Sequence, residues 1–417
     1  MKPTLLRWFA GAWLTALAVS MCAHAQEFKV FDRTVQVHGF GSQGFIHTDQ
    51  NNWLTMNTSK VGSGQFTEFG ANASTAITDK LHVGAQFYDR ELGQLSRWHP
   101  QLDWATADYK FKPWLSFRGG KVKTVLGLYN DTQDLDFLHT FALLPQGVYP
   151  MDMRDASLSH LGGDLYGTFA FNKRLGKFSY TGYGGDQVQS IYGGYPYLLQ
   201  IHGITINHSA GPTYGADLRW KMPVKGLLTG VSYEGNYVRN TGNLNPSIAL
   251  GGPNVVVPYW EQSRSQFTKQ IYAEYTHGNL RIDAEYKRYW RDFTIFNGEF
   301  VAATGTHAWY PSASYRVDKW FEFGGYYSHF DEYWVVTAPG QFEATCECDP
   351  SRHIYDKVIT ARFDVKEHWY AKVEGHFMNG NAAGNNPQYP DGFYTQVNPS
   401  GLKPNTIGLV LKSGVNF

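Results

Sequence analysis

Residues 65–88 read QFTEFGANASTAITDKLHVGAQFY, and this stretch decides the fold. In its first half the odd-numbered side chains from Thr67 to Ile77 share one face, whereas polar side chains such as Glu68 lie on the other. After a tight turn at 78–80 the same alternation restarts at Leu81. A period of two is typical of a β-strand with one apolar and one polar face. The stretch therefore predicts a β-hairpin with one oily face and one wet face.

The same unit recurs along the chain and predicts 16 strands. Their centres lie near residues 40, 71, 86, 106, 121, 166, 183, 217, 232, 270, 287, 312, 326, 360, 373 and 411. Seven connections are predicted as short turns, near 78–80, 111–114, 172–177, 222–226, 277–279, 317–320 and 366–368. The eight between them are predicted as longer polar loops, near 48–64, 90–98, 130–158, 188–211, 239–263, 294–306, 331–353 and 379–403. Short turns at one end and long loops at the other are typical of outer-membrane barrels and not of soluble β-sandwiches.

This pattern predicts an all-β fold, namely a transmembrane antiparallel up-and-down β-barrel with short periplasmic turns and long extracellular loops. Hydrocarbon cannot satisfy backbone N–H and C=O groups, so a sheet crosses a bilayer only when it closes on itself. Closure sends alternate side chains to lipid and to the lumen, and the charged ones fall on the lumen side. A barrel of about 16 strands is too wide for its own wall side chains to fill, so we expect a water-filled lumen.

Composition agrees with a barrel. Aromatic residues make up 16% of the chain, with 27 Tyr and 27 Phe, which suits aromatic girdles at the membrane interfaces. Charged residues make up only 17%, below the quarter that is usual in soluble proteins.

The first 25 residues predict export. Lys2 and Arg7 precede an apolar run over 8–19, and Ala23-His24-Ala25 is a small-x-small cleavage pattern. We therefore expect a signal peptide at 1–25 and one barrel domain over 26–417. A lipoprotein cysteine at Cys22 is the alternative, although Met21 stands where a small residue is expected. Without the signal the chain has 34 basic and 36 acidic residues, which gives no support to nucleic-acid binding.

The C-terminal segment 407–417, IGLVLKSGVNF, carries a family resemblance. It ends in an aromatic residue with apolar residues at every second position before it, and in this it resembles Gram-negative outer-membrane porins of the general 16-stranded type. The resemblance implies that Phe417 is recognised by the barrel-assembly machinery. It also implies a homotrimer in the outer membrane, in contact with lipid and lipopolysaccharide, that conducts small hydrophilic solutes passively and needs no cofactor. It does not identify a subfamily.

Loop 130–158 is the candidate constriction. It follows the fifth predicted strand, as the constriction loop does in porins of this type, where it folds into the barrel. Its carboxylates predict an acidic lip on the pore, formed by Asp131, Asp134, Asp136, Asp152 and Asp155. An ordinary solvated loop is the alternative, because Asp and Pro are common in any loop.

The strand before that loop supplies a candidate basic wall. Phe117 faces lipid in the predicted register, so Arg118 faces the lumen, and Gly119-Gly120 allows a bulge that turns Lys121 and Lys123 inward. Together with Arg154 of the loop, these cations would oppose the acids and set up a transverse field across the pore. The alternative is that the two lysines lie near an interface and snorkel.

The remaining predicted lumen charges are mixed in sign, which favours a general pore over a phosphate or sugar channel. They are Asp217, Arg219, Lys221, Arg281, Asp283, Glu285, Lys287, Arg362, Asp364, Lys366, Lys372 and Glu374.

A monomeric substrate-specific channel of about 18 strands is the alternative function. A barrel enzyme is disfavoured because neither a G-x-S-x-G nor an H-E-x-x-H motif occurs. Cys346 and Cys348 suggest a loop disulfide, and a metal site there is a weaker alternative because only His353 is near.

Overall fold

Most of the protein is β-strand. The computed structural model describes residues 26–30, 33–171, 174–249, 252–337, 350, 352–381, 398 and 401–417. The strand segments are β1 Gln26–Val30, β2 Arg33–Thr48, β3 Ser63–Ala76, β4 Leu81–Leu92, β5 Gln101–Lys112, β6 Leu115–Lys123, β7 Ser159–Ala170, β8 Lys177–Val188, β9 Ile204–Lys221, β10 Leu227–Asn236, β11 Arg239–Leu244, β12 Val257–His277, β13 Leu280–Ile295, β14 Phe300–Arg316, β15 Phe321–Thr337, β16 His353–Lys366, β17 Trp369–Gly380 and β18 Asn405–Asn416. Two short helices, α1 Gly194–Ile201 and α2 Pro246–Ala249, lie in connections.

These segments form one closed antiparallel barrel of 16 strands. β10 and β11 are two halves of one crossing, since both pair with β9 on one side and with β12 on the other. β1 is an N-terminal arm that pairs only with the start of β2 among the described segments. The predicted count of 16 is therefore confirmed, and the alternative of about 18 crossings is wrong. Each of the 16 predicted strand centres falls within one of these strands.

The barrel closes where the last strand meets the first. β18 pairs with β2, from Gly408 opposite Thr48 to Asn416 opposite Phe40. Phe417 and Gly39 exchange two backbone hydrogen bonds, of 3.0 and 2.9 Å. The Phe417 ring lies directly on Gly39, where a Cβ atom would come within 2.4 Å of the ring. Closure pairs the two strands that would otherwise be edges, which a bilayer requires.

The two-residue alternation places apolar side chains outside and polar ones inside. Phe69 and Phe87 point outward and are 45% and 61% exposed, whereas Glu68 and Gln86 point into the lumen and are buried. The quoted hairpin pairs Phe66 with Leu92 through to Ala76 with His82, with no irregularity. The predicted two-faced hairpin is confirmed.

Three connections differ from their predicted lengths. The predicted loop 294–306 is wrong, because β13 and β14 continue to Ile295 and Phe300 and are joined by a 3-10 turn at Phe296–Gly298. Asn297 adopts a φ of 60°, which permits the tight turn. Loop 188–211 contains α1, and part of loop 239–263 is the strand β11. In these places polar and glycine residues, which are typical of loops, lie within strands or a helix.

Loops from one end of the barrel fill part of its interior with apolar side chains. Their buried members include Trp53 and Met56 from the connection after β2, Leu143 from the connection after β6, and Leu198 from α1. These side chains pack against wall residues such as Phe330. The sequence predicted a uniformly wet lumen. The structure differs, because the loops bring a small apolar core inside the barrel. Among the helices of the described ranges, none combines the length and apolar character that crossing a bilayer requires.

Candidate functional site

The connection between β6 and β7, residues 124–158, lies inside the barrel. Its two ends are tied together by Asn130, whose side-chain Nδ2 donates to the carbonyls of Thr124 (2.8 Å) and Ser157 (2.9 Å). Two 3-10 helices, Asp136–Leu138 and Met151–Ala156, shape the path between them. We call residues 124–158 the lumen loop. The segment predicted as a constriction, 130–158, thus lies in the lumen.

The lumen loop crosses to the opposite wall and is held there by β16 and β17. The Glu374 carboxylate accepts backbone N–H groups from Ala142 (2.8 Å) and Leu143 (3.1 Å). Arg362 donates to the carbonyl of His139 at 2.7 Å. All three contacts are buried, so water does not compete with them. Glu374 and Arg362 therefore hold the middle of the loop away from the wall that it leaves.

A second set of contacts holds the loop against β13. The Tyr149 hydroxyl donates to Glu285 at 2.6 Å, and the Tyr129 hydroxyl donates to Asp283 at 2.7 Å. Lys287 donates to the carbonyl of Val148 at 2.8 Å. With the contacts on β16 and β17, these bonds suspend the loop across the lumen instead of along one wall.

Asp136 is the centre of a buried charge cluster. Its carboxylate lies 3.0 Å from the ammonium of Lys372 and 3.2 Å from that of Lys412, and Lys412 also contacts Glu68 at 2.7 Å. Burial favours the neutral acid, but the two lysines outweigh it and hold the pKa of Asp136 well below its usual range. Asp136 is therefore ionised and tied to β17 and β18.

Asp134 lies in a second cluster. Its carboxylate accepts from Lys123 at 2.6 Å and from Gln86 at 2.7 Å. Arg154 lies 3.0 Å from the Asp103 carboxylate, and its guanidinium stacks over the Tyr88 ring at 3.9 Å. The structure thus brings the predicted residues Asp134, Lys123 and Arg154 to one side of the lumen. Burial is the main influence on Asp134, and the charges of Lys123 and Arg154 overcome it, so that its pKa is lowered.

The other three predicted acids have different surroundings. Asp155 pairs with Arg90 (3.3 Å) and Arg154 (3.5 Å). The pKa of the Asp131 carboxyl is raised by burial, which nearby Arg219 and Lys123 only partly offset. Asp152 is fully buried, and no side chain in the described part of the chain donates to its carboxylate, which only Arg90 and the backbone N–H groups of Asp152 and Met153 help to stabilise. Burial raises its pKa to about 8. The five carboxylates are therefore not one acidic lip: they are split among separate surroundings.

Two predictions about the basic wall are wrong. No bulge occurs at Gly119-Gly120, because β6 keeps an unbroken register through these residues with both β5 and β7. Gly120 takes up the local strain with a φ of +126°. The alternation therefore continues and pairs Lys121 with Ala105 and Leu161, on the outer face of the barrel.

Of the predicted cations on β6, only Lys123 contacts the lumen loop. The Lys121 ammonium donates to the carbonyl of Leu102 at 2.6 Å and not to a loop acid. Arg118 does face the lumen, but it pairs with Asp108 at 3.2 Å and stacks on Tyr166, nearer the short turns. The basic side of the site is instead completed by Lys372 and Lys412.

Several charged residues of the site were not among the predicted site residues. They are Glu68, Arg90, Asp103 and Lys412. Lys412 could have been found by alternation, because Ile407, Leu409 and Leu411 face outward and place residue 412 inside. Asp103 could not, because β4 and β5 shift register between Gln86 and Phe87.

A narrow cavity remains beside the loop. Its charged lining consists of Glu68, Asp136, Arg154 and Lys412, and Phe141, Leu144, Tyr149 and Met151 supply apolar surface. Both signs of charge therefore face one narrow space. Within the described ranges, no group of three His, Cys, Asp or Glu side chains is arranged to hold a metal ion. Cys346 and Cys348, like the predicted signal peptide, lie outside the described residues.

Comparison with known proteins shows similarity in structure and not in sequence. No protein-family profile and no curated protein matches the sequence. The fold is similar to that of the outer membrane channel DcaP of Acinetobacter baumannii (TM-score 0.54, 10% identity, covering 94% of this chain and 99% of that one). It is also similar to Salmonella typhi OmpF in complex with daunomycin (TM-score 0.53, 13% identity, 94% and 100%). A third similar structure is the trimer form of in-vitro folded OmpT, an outer membrane protein of Vibrio cholerae (TM-score 0.51, 11% identity, 92% and 99%). At these identities the likeness establishes the fold alone, and the chain has the fold of a 16-stranded porin-type barrel.

Proposed function

We propose that this protein is an outer-membrane channel for the passive diffusion of small hydrophilic solutes. The observation that carries the proposal is the lumen loop, which is suspended across a closed barrel and leaves a narrow space lined by charges of both signs. A barrel with a solid interior would need no such paired charges, because apolar side chains fill a core at lower cost than buried ions do. Neither catalysis nor a cofactor is part of the proposal.

The wall contacts support a restrictive passage rather than a wide one. Carboxylates and cations facing each other across a constriction orient dipolar solutes and repel ions that cannot match either side. The carboxylates of Glu68 and Asp136 line the cavity together with the cations of Arg154 and Lys412, so both signs of charge border it. We therefore expect low conductance, weak ion preference and a sharp size limit.

The outward face supports a membrane location. On the outer face of the barrel, alternate strand positions carry exposed apolar or aromatic side chains. Examples are Phe69, Leu165 and Ile359. We propose that the barrel lies in the outer membrane, delivered there by the segment 1–25, in contact with lipid and lipopolysaccharide. A homotrimer is proposed from the resemblance to porins, and the trimer form of the Vibrio cholerae OmpT structure is consistent with it.

Electrical recording tests the proposal most directly. The purified full-length chain, added to a planar bilayer, should produce discrete conductance steps, and its liposomes should swell in small sugars but not in large oligosaccharides. Boiled protein is the control for contaminating pores. Silent bilayers from correctly folded protein would contradict the channel. A separate mobility test, comparing unheated and boiled samples in mild detergent, would show a trimer or contradict it.

A further inference from the structure

Two cations face each other on the outside of the barrel. Lys269 of β12 and Arg288 of β13 are direct partners in the strand register, and both side chains are exposed. They share the outer face with Ile271 and Tyr286, which are 57% and 38% exposed. Their neighbours in sequence, such as Gln270, are buried on the lumen side. Two positive charges are therefore presented side by side to the surroundings of the barrel.

Nothing in the described part of the chain neutralises this pair. No carboxylate there lies within 4.0 Å of Lys269 or Arg288, whereas the nearby cation Arg264 is paired with Asp292 at 3.9 Å. Asp331, on the same outer face, is already engaged by His329 and by the Tyr355 hydroxyl (2.7 Å). Like charges directly opposite each other destabilise a sheet. An anion between the two side chains would remove that repulsion.

The position of the pair along the barrel indicates what that anion belongs to. His277 and Leu280 flank the short turn that joins β12 to β13. Lys269 lies eight residues before His277, and Arg288 lies eight residues after Leu280. At about 3.3 Å per residue and a tilt of about 40°, the pair lies about 20 Å along the barrel axis from that turn. The apolar band of such barrels is about 25 Å tall, so the backbone of the pair lies within the band, about 5 Å or more short of its far border, and the long Lys and Arg side chains extend from there toward the headgroups.

Aromatic side chains mark the same border. Tyr286 and Trp309 are direct register partners on the outer face, one step nearer the short turns than Arg288 and His307. The Tyr286 hydroxyl contacts the imidazole of His307 at 2.5 Å. Tyrosine and tryptophan on the lipid side of a barrel concentrate at the level of the headgroups. The register partners Phe267 and Trp290 lie one step further toward the long loops, and the Lys269 ammonium lies over the Phe267 ring. The cations therefore lie between two aromatic pairs, from where their long side chains reach headgroup depth.

We propose that Lys269 and Arg288 form a binding site for the phosphate of a lipid headgroup in the leaflet at the long-loop end. The Arg288 guanidinium can hold two phosphate oxygens, and the Lys269 ammonium supplies a second positive charge. His307 is the next residue in the same register row and borders the site. The site rests on the membrane location proposed above and not on conduction through the lumen.

Lipid binding to the full-length chain tests the site. The purified protein in uncharged detergent is titrated with dioleoyl phosphatidic acid or dioleoyl phosphatidylcholine, and bound lipids are counted by native mass spectrometry. We expect preferential retention of phosphatidic acid. Lys269→Gln combined with Arg288→Gln should weaken that binding by about 30-fold, since each cation near an anionic headgroup contributes about a factor of five.

Matched controls separate the site from general charge. Lys80→Gln with Lys225→Gln removes the same charge from two exposed short turns and should leave the binding unchanged. Equal binding of both lipids, or full binding by the Lys269/Arg288 variant, would overturn the proposal. Displacement of the lipid by millimolar inorganic phosphate would identify a free-anion site instead and would also overturn it. Conductance is recorded on the same samples, so a silent but lipid-selective barrel would contradict the channel and leave this site standing.

Discussion

Glu374 is the wall residue whose alteration should most clearly loosen the lumen loop. Its two carboxylate oxygens face three donors: the backbone N–H groups of Ala142 and Leu143, at 2.8 and 3.1 Å, and the imidazole of His376, at 3.0 Å. Glu374→Gln keeps the shape of the side chain, but one of the two acceptor oxygens becomes an NH₂ group, which then faces another donor. At least one buried backbone N–H then loses its partner.

The cost follows from these contacts. A hydrogen bond to a charged group contributes about 1.5–3 kcal/mol, and an unsatisfied buried donor costs a similar amount. We take about 2 kcal/mol as the loss of docking free energy for residues 142–143, which corresponds to about a 30-fold rise in the undocked fraction of this segment. The remaining anchors, such as Tyr149 on Glu285, keep the rest of the loop in place.

Hydrogen exchange measures this opening without reference to transport. Peptides that contain Ala142 and Leu143 should lose about 30-fold of their protection in Glu374→Gln, and single-channel traces should become noisier. Glu322→Gln is the matched control, because Glu322 contacts the loop only through the Thr140 hydroxyl, at 2.7 Å. Unchanged protection in Glu374→Gln, or an equal loss in Glu322→Gln, would refute the view that the carboxylate holds the loop through its backbone.

Three further predictions follow from single contacts. Asp152 has a pKa of about 8 in the folded chain against 3.8 ordinarily, so the folded protein binds the extra proton and stability falls as pH rises between these values. Asp152→Asn should remove this pH dependence of stability. The variant should be as stable as the parent at pH 4 and more stable at pH 7 by up to about 4 kcal/mol, measured by thermal melts at both pH values. A variant less stable than the parent at pH 7 would contradict this. Asp136→Asn removes the carboxylate partner of Lys372 and leaves Lys412 paired with Glu68 alone, so reversal potentials in a salt gradient should shift toward anions, with about 3–5 kcal/mol less stability. An unchanged potential would remove Asp136 from the ion path. Gly39→Val places a side chain where the Phe417 ring lies, so the barrel should fail to close and should lose the gel-mobility shift on heating. Gly182→Ala is the control and should keep that shift, because its added Cβ meets nothing within 4 Å.

The lumen side of the site could be predicted only in part. Loop 130–158 follows the fifth strand, the position from which the constriction is predicted, and within it Asp134 meets Lys123 at 2.6 Å. The direction of Lys121 could not be predicted, because it depends on whether two neighbouring strands keep register past Gly120. A shift of one residue reverses every later side chain, and the sequence of β6 alone does not contain that information.

The barrel follows from the sequence alone, because the two-residue alternation, the number of crossings and the closing aromatic Phe417 are all local patterns. They are readable because lipid imposes the same rule on every strand separately. The partition of the lumen, in contrast, depends on contacts between distant segments. Asp136 meets Lys372 and Lys412, more than 200 positions away in the sequence, and Glu374 meets Ala142 across the barrel. Such pairs exist because a closed sheet brings distant strands around one small space, and that proximity is a property of the closed barrel rather than of any segment.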